Sequence, residues 1–174
     1  MIYEDLKHSL IADFNSIRNN YYLTYGSAYL MSNKECTENL IGNSYQTIDL
    51  TPLGINLRDK TGKEILIECF LKSGLRTTIR ELFEVIHVYC KKTNQTKKLK
   101  QTDWFHFIRL LRNATAHDFR FAFQKKDIEI LPITWNEKTI TKKMNQSHVT
   151  LHLFSYQDCW KIINEIEQFV NEIE

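Results

Sequence analysis

Apolar residues three and four positions apart recur along most of this chain, and that spacing constrains the fold more than any other feature. Leu6, Leu10, Phe14, Ile17 and Tyr21 form one stripe. Leu75, Ile79, Leu82, Ile86 and Tyr89 form a second, and Cys159, Ile163, Ile166, Val170 and Ile173 a third. Residues at i, i+3 and i+4 share one face of an α-helix, so each stripe reads as the buried side of an amphipathic helix. Breakers are scarce, with 5 Gly and 2 Pro in 174 residues. A hydrophobic fraction of 43% is enough for a substantial core, and the length fits a single domain spanning residues 1–174. The expectation is a mainly α fold: a bundle of four to five helices with a small β-hairpin before the last one.

Along the chain, the first helix should run to about Met31, with Tyr21, Tyr22 and Tyr25 packed against the core rather than stacking on bases. Ser32 to Gly62 lacks sustained periodicity and reads as a long loop with short ordered pieces, covering one side of the domain or ordering against a second subunit. The next helix begins near Lys63, with Ser73-Gly74 as a kink or boundary. Lys91, Lys92, Lys97, Lys98 and Lys100, with no acid among them, make a basic linker. Thr102-Asp103 then resemble caps for a helix over 103–117. Segments Ile128-Glu-Ile130, Ile133-Thr-Trp135 and Thr139-Ile-Thr141, around the polar Asn136-Glu-Lys138, read as a hairpin whose first strand Pro132 confines to an edge or bulge. Ser155-Tyr-Gln-Asp158 is a capping-box pattern opening the final helix.

A formal net charge of +2 is too small to make the whole molecule a nucleic-acid binder, so any such contact must rest on a local patch. Cys36, Cys69, Cys90 and Cys159 form no Cys-x-x-Cys pair, which argues against the common zinc and thioredoxin-like signatures and favours buried free thiols. Acids near the amino terminus and no apolar run of membrane-spanning length point to a cytoplasmic protein without a membrane partner.

The chemistry concentrates in Arg112-Asn113-Ala-Thr-Ala-His117. At about 100° per residue, Trp104, Phe107, Ile108, Leu111 and Ala114 share one side of this helix, while His106, Arg109, Asn113 and His117 share the other and Arg112 lies at the border. A guanidinium can hold a phosphate bidentately and an imidazole can move a proton near neutral pH, so the pair suits phosphodiester chemistry without a metal or cofactor. The plainer reading is an exposed helix end whose terminal histidine complements the helix dipole.

The stretch Leu110-Leu-Arg112-Asn113-Ala-Thr-Ala-His117-Asp118 resembles the signature of the HEPN superfamily, in which an arginine, usually followed by a polar residue, precedes a histidine near the end of a bundle helix. Arg112, Asn113 and His117 stand at those three positions, and the resemblance covers roughly residues 75–174. It implies a homodimer whose two motif helices meet in a cleft. It often implies a metal-independent endoribonuclease of a defence (antiviral), toxin–antitoxin or RNA-processing system. His117 would then serve as general base or acid, Arg112 would stabilise charge on phosphorus, and Asn113 would orient the phosphate or the imidazole. Lys97, Lys98, Lys100 and Arg109 would contact RNA. One toxin branch carries, two positions after the histidine, a tyrosine that accepts nucleotidyl groups from a partner antitoxin. Phe119 stands there, which removes the acceptor hydroxyl. The alternative is a non-catalytic module that binds RNA, a nucleotide or a regulatory protein through the same face.

Overall fold

The structure, a computed structural model, describes residues 2–33 and 57–173. Most of the segment expected to form the long loop, with Cys36 in it, lies outside the described residues. The described chain is mainly helical: α1 (Ile2–Ser32), α2 (Lys60–Lys92), α3 (Thr96–Lys100), α4 (Phe105–Ala116), α5 (Lys125–Ile130), the strands β1 (Ile133–Trp135) and β2 (Lys138–Ile140), a 3-10 turn at Lys142–Met144, and α6 (Tyr156–Glu172). The mainly α class and the hairpin ahead of the last helix are as the periodicity indicates. No described helix is long and apolar enough to cross a membrane.

The residues fall into two compact units, one made of Met1–Arg18 with Arg76–Glu174, the other of Asn19–Leu75. In the smaller unit α2 passes through Ser73-Gly74 without interruption, contrary to the expected kink. The glycine answers a different demand: a Cβ at position 74 would meet Thr24 Cγ2 at 2.3 Å, so only glycine permits α2 to approach the side chain of Thr24 this closely. Tyr21 is buried, but Tyr22 and Tyr25 are each 50% exposed, which corrects their assignment to the core. Cys69 is also exposed, whereas Cys90 and Cys159 are buried thiols as expected.

The larger unit holds the motif. Its core joins Leu10, Phe14 and Ile17 of α1, Ile79, Leu82 and Ile86 of α2, Phe107, Ile108 and Leu111 of α4, and Ile162, Ile163 and Ile166 of α6. The hairpin adds Trp135, whose ring lies 5.4 Å from that of Phe107 and 6.2 Å from that of Phe154, while its indole N–H donates to Glu165 at 2.9 Å. Register pairs Ile133 with Ile140 and Trp135 with Lys138. Asn136 and Glu137 both take positive φ at the turn, as a tight two-residue hairpin demands. The helix ends follow local chemistry. Ser155 and Asp158 form the expected reciprocal capping box. Asn94, in the left-handed region, closes α2 with Gln95 N–H donating to Cys90 carbonyl at 2.7 Å. At the other end of α6, the half-buried ammonium of Lys7 donates to the carbonyls of Val170 and Ile173.

Two local readings fail. Ile128-Glu-Ile130 belongs to α5, not to a strand, because Gln124 and Asp127 form a capping box that commits the segment to a helical turn. Thr102 and Asp103 do not cap α4. Trp104 occupies the cap without a side-chain bond, and the Thr102 hydroxyl instead donates to Leu99 carbonyl at 2.9 Å.

Candidate functional site

The two ends of α4 are built differently. Over its first two turns Phe105, Phe107, Ile108, Leu110 and Leu111 are all buried, a wider apolar arc than the single face expected. Arg109, expected to reach RNA, instead lies 2.7 Å from Asp127 with only 18% of its side chain exposed. Asp127 is 1% exposed, and its Oδ2 also accepts from Gln124 N–H at 2.9 Å. The Arg109 contact is an ion pair in which Asp127 Oδ1 accepts no well-aligned hydrogen bond. A cation neutralised by a buried carboxylate belongs to the fold, because removing either partner leaves the other charge without compensation. His106 is half-buried beside it. Burial, then the charges of Arg109 and Lys100, push its imidazole below the ordinary histidine range.

The last turn of α4 carries the motif outward. Arg112 is 34% exposed; its guanidinium carbon stands 5.9 Å from the centre of the Phe83 ring, and its Nη2 lies 3.4 Å from Glu84 Oε2. A long 3.5 Å contact links Arg112 Nη1 to Asn113 Oδ1, so these two side chains are brought together. Arg112 Nε is buried without a hydrogen-bond partner among the described residues. His117 caps the helix with its backbone N–H on Ala114 carbonyl at 2.9 Å, and its side chain is exposed.

Immediately after it, Asp118 and Phe119 take φ of 54° and 55°, a left-handed pair that L side chains adopt at a cost. Arg76 of α2 grips both, with its Nη2 3.3 Å from Asp118 Oδ1 and its guanidinium 5.3 Å from the Phe119 ring centre. Backbone bonds complete the elbow: Arg120 N–H donates to His117 carbonyl at 3.0 Å and Val149 N–H to Phe119 carbonyl at 2.7 Å. The elbow therefore fixes where the chain carrying His117 leaves the helix.

No family model, no curated protein and no solved structure matches this chain. The site is thus read from its own geometry. Lys97, Lys98 and Lys100 are exposed on α3, a short helix rather than a linker, anchored by the fully buried Leu99. Among the described residues, no group of three or more His, Cys, Asp or Glu is placed to hold a metal ion. Sequence reasoning missed Arg76, Phe83, Glu84 and Asp127, all of which touch the motif helix or the turn that follows it. Their separations of 18 to 43 residues from their partners leave no local pattern to read. The one available signal was Gln124…Asp127, a capping-box spacing in the segment assigned to a strand.

Proposed function

We propose that this protein is a metal-independent endoribonuclease of the HEPN type, acting as a homodimer in a defence, toxin or RNA-processing system. The observation that carries the reading is the contrast along α4. Arg109 is consumed by a buried ion pair, whereas Arg112, Asn113 and His117 are presented at an exposed helix end, where the carboxylate paired with Arg112 is itself at the surface. An exposed pair of this kind is worth about 0–1 kcal/mol, so a phosphate can replace Glu84 on the guanidinium at little cost.

In the reaction, His117 takes the proton from a ribose 2′-hydroxyl as its oxygen attacks the adjacent phosphorus. Arg112 and Asn113 offer hydrogen-bond donors to the non-bridging oxygens as charge builds there. The P–O5′ bond breaks, the leaving oxygen takes up a proton, and the products are a 2′,3′-cyclic phosphate and a 5′-hydroxyl. Pairing two copies would supply a second imidazole for that protonation. Lys97, Lys98 and Lys100 add positive charge for the RNA backbone.

The test is incubation of the purified protein with defined RNAs, followed by analysis of product ends. Cyclic phosphate ends formed by the wild type but not by His117→Ala support the reading. Equal cutting of RNA blocked at its 2′-hydroxyls overturns it. RNA binding without cleavage, by a dimer or a monomer, would move the site to the non-catalytic alternative.

A further inference from the structure

The motif supplies one arginine, and that arginine has a carboxylate beside it; a phosphodiester in the site calls for a cation without a prior partner. Helix α2 positions one. Arg76 and Glu84 of this helix both reach the α4 region, Arg76 at Asp118 and Phe119, Glu84 at Arg112. The later residue of α2 meets the earlier residue of the motif, so the two stretches run antiparallel. Arg80 lies midway between them, about 6 Å along the helix axis from each and, at about 100° per residue, inside the arc that they bound. Helical geometry thus puts it on the face of α2 that carries Arg76 and Glu84, between their contacts with the motif region. Arg80 is exposed, and among the described residues it makes no ion pair or hydrogen bond. Its two neighbours along the same face are both engaged, Arg76 in holding the elbow and Glu84 on Arg112.

We infer that Arg80 is a phosphate-binding residue of the site, gripping the RNA backbone beside the scissile linkage while Arg112 and His117 act on it. This rests on the endoribonuclease reading and extends it to a residue outside the motif. Arg76 fixes the chain leaving His117, Glu84 holds Arg112 until substrate arrives, and Arg80 is left to meet the incoming phosphate. An arginine suits that task because its charge persists at all relevant pH values and its planar fork matches two phosphate oxygens.

The test measures binding of a fluorescein-labelled single-stranded RNA by anisotropy at several salt concentrations, using the non-cleaving His117→Ala protein as parent. Adding Arg80→Ala should weaken affinity about five- to tenfold and make the salt dependence shallower by about 0.7 in slope, the release expected for one lost phosphate contact on a single strand. Arg80→Lys should restore much of the slope, whereas Lys161→Ala, which removes one exposed charge from α6, should leave it unchanged. In the cleaving protein, Arg80→Ala should raise KM more than it lowers kcat. If cleavage by the wild type is found but Arg80→Ala leaves affinity and slope intact, or Lys161→Ala has the same effect, Arg80 has no such role and the endoribonuclease reading survives. If the wild type neither binds nor cuts RNA, that reading falls and the assignment of Arg80 falls with it.

Discussion

The first two turns of α4 and its last turn belong to one twelve-residue helix, yet they answer to different physics. At the beginning, the helix is surrounded: its apolar residues are buried and its one cation, Arg109, is matched to a carboxylate with 1% exposure. At the end, Arg112 leans on the Phe83 ring and meets a carboxylate that is 57% exposed, and His117 stands on the surface. Polar residues at the same helical spacing are therefore not equivalent. What separates a structural arginine from an available one is the exposure of its partner, because desolvation makes the buried pair costly to break and solvent makes the exposed pair easy to exchange.

The largest effect should come from the exposed end. Arg112→Ala or His117→Ala should lower RNA cleavage at least about 100-fold while leaving the urea midpoint nearly unchanged. A variant that unfolds at markedly lower urea would break the contrast, since it would make the exposed end structural too. The buried end should behave oppositely. Arg109→Ala or Asp127→Ala should cost about 3 kcal/mol in chemical denaturation, because each leaves a largely buried charge unpaired. Stability unchanged in both variants would mean that water reaches the pair.

A smaller change sharpens the exposed half. Glu84→Gln removes the carboxylate that competes with phosphate on Arg112, and should tighten RNA binding by up to about fivefold, the size of an exposed pair. Weaker binding would instead make Glu84 a residue that holds Arg112 in place for substrate. The smallest effect concerns His106. Burial, then Arg109 and Lys100, hold its folded pKa below the ordinary 6.5, so the unfolded chain takes up this proton first. Its contribution is fully present above pH 6.5 and is lost as pH falls through the lower folded value. Stability curves for the wild type and His106→Gln should therefore approach one another as the pH is lowered below about 6.5, and a parallel offset at every pH would contradict this.

The elements that could be read directly were those specified by near neighbours. The stripes of α1, α2 and α6, the Ser155…Asp158 box and a polar turn after Trp135 depend on contacts within a few residues, and periodicity records those. The turn is one residue shorter than Asn136-Glu-Lys138, because Lys138 pairs with Trp135 in β2. Arg112, Asn113 and His117 could likewise be placed on one helix end, though not their surroundings. Ile128 and Ile130 misled because alternation over three residues fits a strand and a helical turn equally, and the decision rested with Asp127. Thr102-Asp103 looked like caps, but the packing of Trp104 and Phe105 set where α4 begins.

By itself, then, the sequence determined the helical class, the hairpin and the position of the motif at a helix terminus, since backbone hydrogen bonding and amphipathic spacing act over three or four residues. The tertiary structure alone decided that Gly74 serves a close approach to Thr24, that Arg109 is bound to Asp127, and that Arg76 and Glu84 reach the motif and the turn after it. Those outcomes depend on which distant side chains meet and how much water remains between them. No local pattern encodes either.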